Sequence, residues 1–323
     1  MLPLPTFSLL HPERVDQALE MFQAHTQARY VAGGTDLLPS MKQGLFSPPT
    51  LISLERLSEL RGVSVQDGLL RVGAMTSLAE LAASPLVQQA APGLVQAARG
   101  IATPTLQNMG TIGGNLLLDT RCRFYNQSVF WRGALGEGTQ SGCLKCDPQG
   151  ICHVAPKGTG CYAAHSADTV PTLMLLDAQV EIATPGRGRQ RVSVSELYGP
   201  DGREGGADGR LQLPPGALLV ALWLPQDQPA TVHRKLRTRA AIDYALLIVA
   251  AGPQGVVVSA VGPQPQRITG VDQALADGDH EAVAEAASKQ IQPLSTHIPP
   301  VPWRKKMVRV LVRRALEDLA GGT

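Results

Sequence analysis

All five cysteines of this 323-residue chain fall between Cys122 and Cys161, and the remaining 283 residues contain none. Structural cysteines serving a core would be scattered, so confinement to 40 residues argues for one shared purpose. Thiolates gathered in a loop-rich stretch (Cys122, Cys143, Cys146, Cys152 and Cys161) suit a soft metal or an iron–sulfur cluster. Disulfides are the competing reading, but a disulfide framework belongs to small secreted chains. Residues 1–10 (MLPLPTFSLL) lack a basic leader and hold two prolines, so no signal peptide is expected. No run of about 18 apolar residues occurs, so no membrane span is predicted. A cytoplasmic, reducing compartment is expected, which weakens the disulfide reading further.

Hydrophobic content of 44% and charged content of 17% suit a chain that buries a sizeable core. A net charge of +2 offers no basic face for nucleic acid. Apolar spacing predicts helices over 12–22, 78–83 and 94–101, and short strands over 28–32, 51–54, 60–65 and 69–72. Residues 171–176 read as a buried helix or strand, and 178–183 alternate as a strand. Residues 199–210 form a polar, glycine-dense loop. Further strands are expected over 218–224, 245–251 and 255–261, and the pattern is helical from 272 onward. The fold class is α+β, with the main boundary near Pro214 and Pro215.

Two glycine loops stand out. Residues 31–38 (VAGGTDLL) follow an apolar strand, and residues 110–115 (GTIGGN) repeat the chemistry with a hydroxyl and an amide added. Adjacent glycines permit positive φ and close backbone approach, so successive N–H groups can face an anion. A single Gly-Gly pair is more often a plain turn. Two matching loops suggest a pyrophosphate-containing cofactor held from both sides. Neither is a Rossmann or P-loop fingerprint, and no nucleophile elbow or H-E-x-x-H helix is present.

The strings VAGGTDLLPSMK (31–42), GAMTSLAEL (73–81), GTIGGNL (110–116), SADTVPTLMLLDAQVEI (166–182) and KLRTRAAIDYA (235–245) occur in that order. Together they resemble the FAD-binding medium subunits of the xanthine dehydrogenase and carbon monoxide dehydrogenase family of molybdenum hydroxylases. The resemblance spans nearly the whole chain. It implies a two-part FAD-binding domain of the PCMH type over 1–214 and a carbon-monoxide-dehydrogenase-flavoprotein-like domain over 215–323. It also implies that Ala32, Gly33, Gly34, Thr35, Asp36, Leu37 and Leu38 hold the FAD pyrophosphate. Thr111, Gly113, Gly114 and Asn115 would touch the pyrophosphate and ribityl region, Asp168 and Lys235 the flavin. Thr76 and Ser77 would lie near the ring, with Asp119 a second carboxylate candidate.

The cysteine-bearing segment lengthens the family's usual link between the second glycine loop and the Ser-x-Asp string. It is similar to the insertion of the 4-hydroxybenzoyl-CoA reductase beta subunits, which holds a [4Fe–4S] cluster. That likeness implies an inserted cluster segment over 119–165 with Cys122, Cys143, Cys152 and Cys161 as ligands. Cys146 is a fifth cysteine without a counterpart in that pattern, and a Cys143-x-x-Cys146 pair is itself good ligand spacing. The resemblance further implies a heterohexamer with a large molybdenum-cofactor subunit and a small [2Fe–2S] subunit. A ferredoxin-type donor would supply electrons for reductive dehydroxylation of a substrate held on the partner, so this chain contributes no catalytic residue. An oxidative molybdenum hydroxylase with outward electron flow, or a zinc-stapled module without catalysis, remains open from the residues alone.

Around the cysteines, Tyr125, Phe130 and Trp131 are expected to wall the segment against the core, and His153 and His165 to be polar surface groups. Arg121, Arg123, Arg132, Lys145 and Lys157 would offset the charge of a thiolate cluster. Arg304, Lys305, Lys306, Arg309, Arg313 and Arg314 read as the solvated face of a C-terminal helix.

Overall fold

The computed structural model describes residues 2–134, 142–147, 149–158, 160–198 and 211–321; the glycine-dense loop expected over 199–210 lies outside them, as do parts of the cysteine segment. Three sheets form the framework. The first joins β1 (Ser8–Leu10), β2 (Arg29–Val31) and β3 (Thr50–Ser53) in parallel, with β3 in the middle. Every residue of β3 is buried, as a central parallel strand requires. The crossover helix Val15–Ala24 turns Val15 and Ala18 onto it.

The second sheet is antiparallel. It comprises β4 (Val63–Gln66), β5 (Leu69–Gly73), β6 (Gln179–Thr184), β7 (Gly188–Ser193) and β8 (Leu218–Pro225), in the order β4-β5-β8-β6-β7. β8 is its centre, pairing with β5 on one side and β6 on the other. This corrects the expected boundary near Pro214 and Pro215. The apolar run of β8 is buried throughout and completes the N-terminal core rather than opening a new domain.

The third sheet begins at β9 (Val232–Leu236) and continues through β10 (Leu247–Gly252), β11 (Gly255–Ser259) and β12 (Gln266–Arg267), all antiparallel. Its two faces follow the period of two. Val249, Ala251, Val256 and Val258 pack on the helices His280–Gln290 and Val301–Gly321, whereas Ala250 and Val257 join the N-terminal core. Helix Val170–Leu175 fills the space between the two sheets, every residue buried, which settles the helix-or-strand choice over 171–176. Pro171 stands in its first turn, where a missing N–H costs nothing.

Four strands escaped the sequence reading: the short β1 and β12, and two longer ones. β7 is an edge strand of polar residues, and β9 carries His233, Arg234 and Lys235. Residues 58–60 form a short 3-10 turn rather than the start of a strand. Arg304 is a further correction. It is fully buried, donating to Leu246 O (2.9 Å), Leu294 O (2.6 Å) and Ala260 O (2.6 Å), not solvated.

Candidate cofactor site

β2 runs into Ala32, Gly33 and Gly34, and both glycines are needed there. A Cβ on Gly33 would stand 1.7 Å from Met109 O, so the first glycine loop lies against the backbone leading into the second. Gly34 has φ +70°, the left-handed region that other residues avoid. The amides of Gly34, Thr35 and Asp36 donate to no acceptor among the described residues. Leu38 N returns to Gly34 O (3.1 Å), and Leu37 and Leu38 pack beside Val31, Met41 and Leu51. Those two leucines therefore hold the loop in place, and the loop leaves backbone N–H groups of the kind that can receive an anion.

The second loop is built differently. Ile112 N donates to Thr76 O (3.0 Å) and Gly113 N to Ala74 O (2.9 Å), so these amides are spent inside the protein. Thr111 caps the helix Ile112–Leu116 by accepting from Gly114 N at 3.1 Å. A Cβ on Gly113 would meet Ala74 O at 2.8 Å, so this glycine serves close packing. Asn115 Oδ1 accepts from Thr169 N (3.2 Å) and Thr169 Oγ1 (2.7 Å), tying the loop to the residue beside Asp168. Thr76 and Ser77 are buried at the junction, where Ser77 caps its own helix.

Asp168 and Lys235, 67 positions apart in sequence, form a buried ion pair at 2.7 Å. Burial pushes the Asp168 carboxyl above the usual carboxylate range, opposed by the Lys235 charge. Lys235 Nζ also donates to Gly100 O at 3.2 Å. Neighbouring His233 is held neutral, its pKa lowered to about 3 by burial and by Lys235. The structure thus brings Asp168, Lys235, Asn115 and the second glycine loop together.

Cys122, Cys143, Cys152 and Cys161 are each 7% exposed, whereas Cys146 is exposed. Cys122, Cys143 and Cys161 share an apolar cluster with Tyr125 and Ala163, and Cys152 lies close enough to Cys122 to act on its charge. None of the five forms a disulfide among the described residues. Burial raises the Cys122 thiol; Cys143 is raised by a hydrogen bond with Cys146 and then by burial. Buried thiols of this kind ionise when a cation arrives, so metal loading here would release protons. Among the described residues no three His, Cys, Asp or Glu side chains are gathered as a single-ion site would gather them. One tetrahedral zinc would draw its thiolates to within about 3.8 Å of one another.

The surroundings revise several expectations. Lys145, 4% exposed, pairs with Asp119, donates to Thr120 Oγ1 (3.1 Å) and lies 4.1 Å from the Tyr125 ring centre. Asp119 also accepts from Tyr125 Oη at 3.1 Å, so it serves the cysteine segment and not the flavin loops. Tyr125 walls the segment as expected, but Phe130 is 87% exposed. His165 is buried, with Nδ1 3.0 Å from Ser259 Oγ, and His153 Nε2 lies 2.7 Å from Gly142 O. Arg132 is buried, donating to Gln127 O and Gly44 O. Sequence reasoning passed over Tyr244, whose hydroxyl donates to Asp36 Oδ1 at 3.1 Å. The signal was its place in the string 235–245.

Residues 5–227 match the family described as the FAD binding domain in molybdopterin dehydrogenase. The FAD-binding subunit of an aldehyde oxidoreductase from Escherichia coli K12 is 34% identical over 260 residues, covering 78% of this chain and 80% of the relative. The carbon monoxide dehydrogenase medium chain of Hydrogenophaga pseudoflava is 40% identical over 117 residues, 36% of this chain and 40% of the relative. A chain of the quinoline 2-oxidoreductase crystal structure from Pseudomonas putida 86 superposes with a TM-score of 0.76 at 22% identity, covering 99% of both chains. Among the described residues no helix is long and apolar enough to cross a membrane.

Proposed function

The chain belongs to the family of FAD-binding domains in molybdopterin dehydrogenases and is the FAD subunit of a molybdenum hydroxylase-type dehydrogenase; from that premise we propose that it also carries a [4Fe–4S] cluster and serves an oxidative enzyme as its electron-transfer subunit. What supports the cluster is the burial of four thiols in one segment, three of them in a shared apolar cluster, with the fifth exposed. Cys122, Cys143, Cys152 and Cys161 would hold it. The burial of Cys143 against the exposure of Cys146 supports that choice within the Cys-x-x-Cys pair. Lys145, between those two positions in sequence and paired through its buried side chain with Asp119, would tune the charge around a thiolate site.

The free amides of Gly34, Thr35 and Asp36 would hold the FAD pyrophosphate, and the Asp168–Lys235 pair would fix polar groups at the flavin. When bound, FAD supplies one- and two-electron transfer and the cluster supplies single-electron transfer. The protein's own work is to orient these groups, keep water out through Tyr125 and the surrounding apolar residues, and set local charge. Substrate chemistry would lie on a large molybdenum-cofactor subunit, with a small [2Fe–2S] subunit as the other partner. Aldehydes are the first substrate class to test, because a relative 34% identical over 78% of this chain is an aldehyde oxidoreductase subunit.

The cysteine segment favours a second reading, the reductive one, in which a ferredoxin-type donor feeds the dehydroxylation of 4-hydroxybenzoyl-CoA. One anaerobic experiment on the purified complex separates the two. Bleaching of the flavin absorbance by an aromatic or aliphatic aldehyde supports the oxidative reading. A flavin inert to aldehydes but reoxidised, after dithionite reduction, by 4-hydroxybenzoyl-CoA supports the reductive one and overturns the first.

A further inference from the structure

Arg121 joins three segments that the sequence keeps far apart. Its backbone exchanges two hydrogen bonds with Ala164, N to O and O to N, each 2.8 Å. This bridge closes the neck of the cysteine segment, with Cys122 next in sequence and Cys161 three residues before Ala164. Its guanidinium pairs with Asp36 of the first glycine loop and lies 4.2 Å from the Tyr244 ring centre. Tyr244, from the connection between β9 and β10, donates its hydroxyl to the same Asp36 carboxylate. The side chain is 12% exposed, and its Nε is buried without a hydrogen-bond partner.

We propose that Arg121 is a positioning residue that couples occupancy of the thiol cluster to the affinity of the flavin loop. The inference rests on reading the four buried thiols as cluster ligands. A filled cluster holds the neck closed. The closed neck sets where the guanidinium stands, and the guanidinium fixes Asp36 beside the free amides of the first loop. Coupling of this kind is reciprocal: if losing the cluster weakens FAD, losing FAD weakens the cluster by the same factor. A lysine would not replace Arg121, because a compact ammonium cannot both meet the carboxylate and lie flat on the ring.

The test is a double-mutant cycle on the anaerobically purified complex, reading iron per chain, the FAD dissociation constant and the visible circular dichroism of the bound flavin. In the native background C122S removes iron, weakens FAD about tenfold and alters the flavin signal. R121Q keeps iron and weakens FAD to a similar degree, and R121K behaves like R121Q. The double variant binds FAD no worse than R121Q alone, with no further change in the flavin signal. Should R121Q fail to assemble, Y244L keeps Arg121 but removes both the stacking ring and the hydroxyl that holds Asp36, and carries the same expectation. Native FAD affinity in R121Q, or losses that multiply in the double variant, overturns the coupling while leaving the cofactor reading intact. Native complex without iron removes both together.

Discussion

At the residue scale the buried charges carry most of the new information. Arg304 satisfies carbonyls of Leu246, Ala260 and Leu294, three segments that meet where the C-terminal helix starts. Burial lowers its pKa to about 10, which still leaves it charged at neutral pH. Arg304→Ala should cost about 3 kcal/mol or more, since it leaves several buried carbonyls unpaired. A denaturant melt that matches the native protein would contradict this. In the sequence Arg304 is indistinguishable from Lys305 and Lys306, because its partners are distant carbonyls that no local pattern announces. Two histidines, one buried and one half-buried, act on the pH axis. His233 is depressed to about 3 and His297 to about 4, both chiefly by burial, against an ordinary value of 6.5. Below pH 6.5 the unfolded chain therefore binds protons that the folded chain refuses, so stability falls as pH drops toward 4. Each histidine contributes up to about 1.4 kcal/mol per pH unit. His233→Gln should flatten the slope of unfolding free energy between pH 6.5 and 4, and an unchanged slope would count against the assignment.

At the scale of elements, the two glycine loops look alike in sequence but divide their labour. The first keeps its amides free, whereas the second spends two of them on Thr76 and Ala74 and acts as a packed support. Gly33→Ala places a methyl against Met109 O and must separate the loops. FAD binding in this variant should weaken on the order of tenfold or more, equivalent to ~1.4 kcal/mol, by equilibrium dialysis. Retention of native affinity would show that the contact does not shape the site. The Gly-Gly pairs were legible as turns. That they touch was not, because it depends on a contact across some 75 residues of chain. Amphipathic helices such as Leu78–Ala83 and apolar strands such as β8 could be read directly. The polar edge strand β7 and the charged strand β9 could not, since their pairing comes from neighbours and not from their own alternation.

At the scale of the whole molecule, β8 decides the architecture. By crossing back into the middle of the second sheet it binds residues on either side of the cysteine segment into one core. Helix Val170–Leu175 then joins that core to the third sheet, which delivers Lys235 to Asp168. The cysteine segment leaves from a neck next to the first glycine loop and returns to it, so both candidate cofactor sites share one base. The sequence confines the five cysteines to 40 residues, and the fold adds that four are buried, three of them in one apolar cluster. The direct test is to measure iron, acid-labile sulfide and FAD in anaerobically purified complexes of the native chain and its single Cys→Ser variants. The account predicts about four iron atoms per FAD in the native and C146S proteins, and loss of iron in C122S, C143S, C152S and C161S. Iron-free native protein that still holds FAD, or iron lost in C146S and kept in C143S, would contradict it.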